Sequence, residues 1–180
     1  LLTFSLSPLL LVFYYGNIKK RTFERIGDEE VGELHIPWKD KLNDIKRVNI
    51  VEEIEPIDMS FYFAELRNCG EINGLDKIIT DNVKSMKGLF HWCGINNSNL
   101  TTIDISNFNT SNVTNMAYMF DRCRKVKNII LPENFDTTKV INMRSMFNNL
   151  QLVSNLDLSK LDTRNVTDMF GMFYENRLLT

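Results

Sequence analysis

Asn112-Val113-Thr114-Asn115-Met116-Ala117-Tyr118-Met119-Phe120 is the stretch that decides the fold, because the chain keeps returning to it. It comes back as Val140-Ile141-Asn142-Met143-Arg144-Ser145-Met146-Phe147 and as Asn165-Val166-Thr167-Asp168-Met169-Phe170-Gly171-Met172-Phe173. Asn82-Val83-Lys84-Ser85-Met86-Lys87-Gly88-Leu89-Phe90 is an earlier copy, and Met59-Ser60-Phe61-Tyr62-Phe63 a degenerate one. All eight methionines fall inside these copies. The closing phenylalanines 63, 90, 120, 147 and 173 are separated by 27, 30, 27 and 26 residues. A period in the twenties is the signature of a repeat architecture, in which each unit buries its apolar side against its neighbours. Such a chain is built to present a surface rather than to perform chemistry.

Leu100 to Cys123 serves as the reference unit. Leu100, Ile103 and Ile105 give L-x-x-L-x-L, whose last three residues alternate as a strand with one face buried and Asp104 pointing outward. Phe108 adds another inward group. Asn109-Thr110-Ser111 then supplies side-chain oxygens suited to a turn and a helix start. Val113, Met116, Phe120 and Cys123 follow at spacings of 3, 4 and 3, one face of a short helix. Val126, Ile129 and Leu131, with an extra residue around Pro132, and Val153, Leu156 and Leu158 repeat the strand pattern. Upstream, Ile72, Leu75 and Ile78 form a shortened version and Ile45, Val48 and Ile50 an earlier one. Aligning positions 48, 75, 103, 129 and 156 gives steps of 27, 28, 26 and 27. The expected fold is an α/β repeat solenoid, a leucine-rich-repeat-like stack of strand–turn–short helix units forming a curved parallel sheet with right-handed crossovers. Residues 45–180 would hold about five units, truncated at the C-terminus. Residues 27–44 would form an N-terminal cap, with Leu34-His35-Ile36 as an extra strand ended by Pro37.

Residues 1–26 stand apart. Leu1 to Tyr15 are apolar and uncharged, short for a membrane span but long enough for the core of a signal peptide. Lys19-Lys20-Arg21 follows this run instead of preceding it, and no small-residue cleavage site is evident. A truncated export or membrane segment, an apolar strand or helix packed on the first repeat, and sequence not native to the fold all remain open; Pro8 argues against one straight helix. The chain begins without methionine and stops at Thr180 midway through a repeat, so a fragment of a longer protein is expected.

Composition excludes several classes. Apolar residues make up 43% and charged residues 24%, ordinary for a soluble chain. A net charge of −2 without a basic stripe gives no electrostatic footprint for nucleic acid. Three cysteines argue against a disulfide framework: Cys93 and Cys123 occupy a slot filled elsewhere by Leu66, Leu150 and Asn176, and read as small buried hydrophobes, while Cys69 lies off that register as a free thiol. There is no paired C-x-x-C, no Gly-rich phosphate loop and no G-x-S-x-G elbow.

The run Leu100-Thr101-Thr102-Ile103-Asp104-Ile105-Ser106-Asn107-Phe108-Asn109-Thr110-Ser111-Asn112-Val113-Thr114-Asn115-Met116 resembles the bacterial surface-protein repeat of about 26 residues, usually L-x-x-L-D-L-S-x-F-D-T-S-x-V-T-x-M-x-x-M-F-x-x-C. Leu156 to Met169 is similar. These resemble the BspA-like leucine-rich repeats of lipoproteins and wall-anchored proteins in low-GC bacteria and mycoplasmas, and in some protists. The resemblance covers roughly residues 45–180. It implies an exported, non-enzymatic protein at the cell surface or secreted, used in adhesion or in binding protein or glycan ligands on host, matrix or neighbouring cells, without a cofactor. The alternatives are a scaffold region beside a catalytic domain, or an intracellular interaction protein, which Lys19-Lys20-Arg21 favours.

Candidate sites have plain counterparts. A methionine–phenylalanine column could suggest a soft-metal or haem site, but at this spacing it reads as core. His91 and Cys93, two residues apart on one helix, point in different directions and do not form a nucleophile pair. Asp76, Asp104 and Asp157 share an outward strand position, filled by Asn49 and Ile130 in other units; such a ladder could attract cations or basic ligands, or it is a solvated face with turn bonds to Ser106 and Ser159. With Thr102, Ser106, Asn128, Asn155 and Ser159, this column is where a partner would meet the sheet. Asn96, Asn99, Asn109, Asn112 and Asn165 begin N-x-S/T sequons, which matter only if the source glycosylates.

Overall fold

The computed structural model describes residues 10–13 and 41–180. The apolar run outside 10–13, Lys19-Lys20-Arg21, the strand expected at Leu34-His35-Ile36 and the cap before residue 41 all lie outside the described residues. Of that cap, residues 41–44 form a turn in which the Asp44 and Ile45 amides donate to the Lys41 carbonyl.

The described residues form five short strands: β1 (Leu10–Phe13), β2 (Arg47–Ile50), β3 (Glu71–Asn73), β4 (Thr102–Asp104) and β5 (Asn128–Ile130). They make two separate parallel sheets, β1-β2-β3 and β4-β5. No α-helix occurs among the described residues, which include a 3-10 turn at Leu75–Lys77. The α/β solenoid with short helices on one continuous curved sheet is therefore not the observed fold.

The segment read as a helix shows why. In every copy the residues two before and two after the closing phenylalanine have positive φ. They are Phe61 and Glu65, Gly88 and Trp92, Tyr118 and Arg122, Ser145 and Asn149, Gly171 and Glu175, with φ between 51° and 64°. A left-handed residue every fourth position cannot propagate a right-handed helix. The backbone instead makes tight i to i+3 turns, such as Met119 N–H to Met116 O at 3.2 Å and Asp121 N–H to Tyr118 O at 3.1 Å. The alternate amides turn outward onto the following copy. Met116, Tyr118, Phe120 and Arg122 donate to the carbonyls of Asn142, Arg144, Met146 and Asn148 at 2.7 to 3.0 Å. The same four bonds join Met59, Phe61, Phe63 and Glu65 to the copy of Phe90, and that copy to the copy of Phe120. They recur from Met143, Ser145, Phe147 and Asn149 to Asp168, Phe170, Met172 and Tyr174. Parallel bridges Asp58↔Ser85, Ser85↔Asn115, Asn115↔Asn142 and Asn142↔Asp168 run along the same line.

The spacing of apolar residues marked burial correctly even where it marked the wrong backbone. Phe63, Phe90, Phe120 and Phe147 are fully buried, with ring centroids 5.3, 5.7 and 5.6 Å apart, and Phe147 stacks on Phe173 at 5.7 Å. Seven of the eight methionines are buried with them; Met169 is 46% exposed. Val48, Ile103, Ile105, Val113, Ile129 and Val140 belong to the same core.

The strands follow a register different from the one expected. Val48 pairs with Ile72, not with Leu75, because Gly74 (φ +81°) ends β3 and turns Leu75 into the 3-10 turn. A Cβ at Gly74 would stand 2.2 Å from the Ile50 carbonyl oxygen, so the close approach of β2 demands glycine there. Asn96–Asn99 lengthens the next copy. Asn97 folds back over Gly70 to donate to the Asn68 carbonyl at 2.9 Å, and β3 and β4 do not pair. Past β5 comes Pro132, which has no amide to extend a ladder, and Val153 to Leu158 pass by without forming a strand.

Candidate functional site

The eight residues proposed to meet a partner are all exposed, but they do not form one column. Asp76 sits in the 3-10 turn, Thr102 and Asp104 on β4, Asn128 on β5, and Asn155, Asp157 and Ser159 on chain without strand pairing. The β4–β5 register does bring Thr102 and Asn128 opposite each other, with Asn128 Nδ2 3.4 Å from Thr102 Oγ1. Asp104 faces Ile130, so no ladder of like charge exists there. Asp104 and Asp157 instead close turns, each accepting the amide two residues on, from Ser106 and Ser159, at 2.9 Å. The Ser159 amide, and then its hydroxyl, hold the Asp157 carboxyl below the usual carboxylate range.

A better-organised surface flanks the phenylalanine column, on the residues around the left-handed positions. Trp92 lies between two guanidinium groups, Arg67 at 3.8 Å from its ring centroid and Arg122 at 5.0 Å. Arg67 is steadied by Glu65 at 2.7 Å. One copy further, the Arg144 guanidinium stands 4.6 Å from the Phe170 ring centroid, donates to the Tyr118 hydroxyl at 3.0 Å and pairs with Asp168 at 3.5 Å. Arg124 donates to Asn149 Oδ1 at 3.2 Å, and Asn149 to Glu175. Beside Arg67, a shallow depression of about 460 Å³ is lined by Leu42, Asn43, Glu65, Arg67 and Asn96.

Behind this strip lies a buried polar cluster. His91 Nδ1 is 3.0 Å from Asp121 Oδ2, yet out of line for a hydrogen bond, and Asp121 Oδ1 is 3.7 Å from Arg122 Nε. The His91 and Asp121 side chains are nearly inaccessible, so they belong to the interior and not to a contact surface. His91 and Cys93 do not pair. Cys93 is hydrogen-bonded to Cys69, which pushes its thiol pKa up together with burial, while the Cys69 thiol is lowered by the same bond and by the Glu71 carbonyl. Burial, then the Asp121 carboxylate, raise Cys123. All three cysteines are free and buried, and none is poised as a nucleophile.

Sequence reasoning missed the strip because it expects a helix from Val113 to Cys123 and over the matching residues of the other copies, which takes in Trp92, Tyr118, Arg122, Arg144 and Phe170. The available signal was glycine at 88 and 171, in the slot of Phe61, Tyr118 and Ser145: a position open to glycine in two copies of five is one where φ is positive.

Residues 57–180 match the family described as Mycoplasma protein of unknown function, DUF285. The chain belongs to this family. No curated protein and no solved structure matches it. The DUF285 match begins two residues before Met59 and takes in every methionine–phenylalanine copy. It leaves β1, β2 and the turn at 41–44 outside. Among the described residues no helix is long and apolar enough to cross a membrane, and no three His, Cys, Asp or Glu side chains converge as metal ligands would.

Proposed function

We propose that this DUF285 chain is a non-enzymatic recognition module of the BspA-like surface-repeat kind, displayed outside the cell and binding a protein partner through the aromatic–guanidinium strip. The observation that carries this reading is the clamping of Trp92 between Arg67 and Arg122, with Arg144 held between Tyr118 and Phe170 one copy on. Trp, Tyr and Arg dominate the energetics of protein interfaces, and they do so best when held in place before binding. The wording of the repeat supports the surface-protein reading, and the family match covers the same repeats, over residues 57–180.

The test has two arms. Antibody against the chain should label intact source cells as strongly as permeabilised ones. Purified chain should bind protease-sensitive sites on host cells or matrix, and the pair Arg67→Ala with Arg144→Ala should reduce that binding at least ~10-fold, while Lys160→Ala, an exposed residue next to Ser159, leaves it unchanged. Labelling only after permeabilisation would refute the surface reading. Equal binding by both variants would refute the strip.

A further inference from the structure

The left-handed position two residues after each closing phenylalanine is held in successive copies by Glu65, Trp92, Arg122, Asn149 and Glu175. The amides of the first four donate to carbonyls of the following copy at 2.7 to 2.9 Å, which sets these residues side by side. Two residues further on, Arg67 and Arg124 occupy equivalent places. Their amides turn back onto the carbonyls of Glu65 and Arg122, at 2.7 and 2.8 Å. Three guanidinium groups therefore share one corner, Arg67 and Arg122 against the Trp92 ring and Arg124 beside Arg122.

How each arginine is held decides what it can still bind. Arg67 commits its Nε to Glu65, and Arg124 its Nε to Asn149. Arg122 Nε stands 3.7 Å from Asp121 without a hydrogen bond. The terminal nitrogens of all three have no acceptor among the described residues. A guanidinium fixed by its Nε or by a ring face, with its outer fork open, is arranged in advance for a carboxylate, which it meets through two parallel bonds. Charge at this corner is also uneven. Arg122, Arg124, Lys125 and Lys127 fall within six residues, although the whole chain carries a net charge of −2. Of the nearby acids, Asp121 is buried and Glu65 is already paired.

The surroundings of the forks favour a polypeptide as the source of the carboxylates. Glu65 and Glu175 interrupt the row, so a polymer of unbroken negative charge, such as nucleic acid, finds no continuous track. Trp92 between the forks and Leu152, 37% exposed in the next copy, offer apolar contact instead. We infer that this corner recognises an acidic, extended polypeptide segment, its carboxylates spaced by uncharged residues and each seated on one arginine fork. The inference rests on the reading of the strip as a protein-binding surface and adds the chemistry of the partner.

A fluorescent peptide of four Glu-Leu-Ser triplets, titrated with the intact chain and followed by anisotropy, is the probe. It should bind, and its Glu→Gln counterpart should not. Arg67→Gln with Arg122→Gln should weaken binding at least ~10-fold, and Arg67→Lys with Arg122→Lys nearly as much, because lysine keeps the charge but lacks the fork. These side chains are 36% and 39% exposed, so both double variants should stay folded. On the unsubstituted chain, the Trp92 indole N–H resonance should move with the acidic peptide and stay put with its Gln counterpart. Failure of the acidic peptide to bind would overturn the inference; cell binding still lost in Arg67→Ala with Arg144→Ala would then leave the strip itself standing. Full binding by the lysine variant, or tighter binding of a DNA oligonucleotide than of the peptide, would overturn it in favour of unselective attraction of negative charge. Peptide binding that needs the forks, beside cell binding that does not, would support the carboxylate chemistry and refute the strip's role at the cell surface.

Discussion

Truncating one ring in the middle of the phenylalanine column is the most direct test of what holds the copies together. Phe120 is fully buried, with near-parallel rings on both sides: Phe90 at 5.7 Å and 6°, Phe147 at 5.6 Å and 8°. Phe120→Ala removes that ring from a site where neither neighbour can close the gap alone, and should cost ~4 kcal/mol. Roughly 1–3 kcal/mol of this belongs to the two ring contacts themselves, so Phe120→Leu, which restores most of the apolar bulk, should cost about that amount. Phe173 is the internal control. It is 41% exposed and touches one ring of the column, so three-fifths of a ~2–3 kcal/mol burial term plus one ring contact predicts a loss of ~2 kcal/mol for Phe173→Ala. Urea unfolding of the whole chain, followed by circular dichroism, should place the variants in the order Phe120→Ala, then Phe173→Ala and Phe120→Leu together, then wild type. A loss for Phe120→Ala no larger than that for Phe173→Ala would show that the column is not the source of cohesion.

Three further perturbations examine other parts of the reasoning. Met116→Asp places a charge at a fully buried position and should abolish cooperative unfolding, whereas Asp104→Ala, on the exposed side of β4, should move the urea midpoint little; equal effects would contradict the assigned faces. Gly74→Ala sets a methyl carbon 2.2 Å from the Ile50 carbonyl and strains φ at +81°, so a loss above ~2 kcal/mol is expected, with exchange of the β2 and β3 amides accelerated first; a wild-type midpoint would refute the close approach. The Arg164 guanidinium and amide hold the Asp162 carboxyl at about 2, below its ordinary value of ~3.9, so its stabilising share is present above pH ~4 and disappears as pH falls toward 2. Carboxyl NMR should show this midpoint rising toward the ordinary value in Arg164→Ala, and an unchanged midpoint would remove Arg164 as the cause.

How far the molecule could be read from its letters differs from place to place. Burial was legible because the requirement for dry contact selects Met, Phe, Val and Ile at fixed intervals whatever the backbone does between them. Val113, Met116, Phe120 and Cys123 all lie inside, as their spacing required. The backbone was not legible from that spacing, since a coil with two left-handed residues per copy spaces its inward side chains at 3, 4 and 3 just as a helix does. Most of those left-handed positions hold ordinary residues such as Glu65, Trp92 and Arg122, held there by the four bonds to the next copy, and only Gly88 and Gly171 betrayed the pattern. The match of Val48 to Ile72 was hidden for a related reason: Leu75 fits the apolar pattern as well as Ile72 does, and only the conformation at Gly74 decides between them. The aspartate column dissolved because Asp104 and Asp157 spend their oxygens locally on Ser106 and Ser159. The strip around Trp92 depends on which residues neighbouring copies bring alongside one another, information that no single copy contains.

The uniformity of the seams between copies bears on how such a chain changes over generations. Each seam is closed by the same four amide–carbonyl bonds, whichever two copies meet there, and tolerates side chains as different as Tyr118 and Gly88 at the turning point. Excising or duplicating one whole period would thus leave every remaining joint with a partner it already fits, while a cut of any other length would strand a ring and four donors. Inheritance can therefore lengthen or shorten this protein in whole periods, adjusting its reach without redesigning its interior.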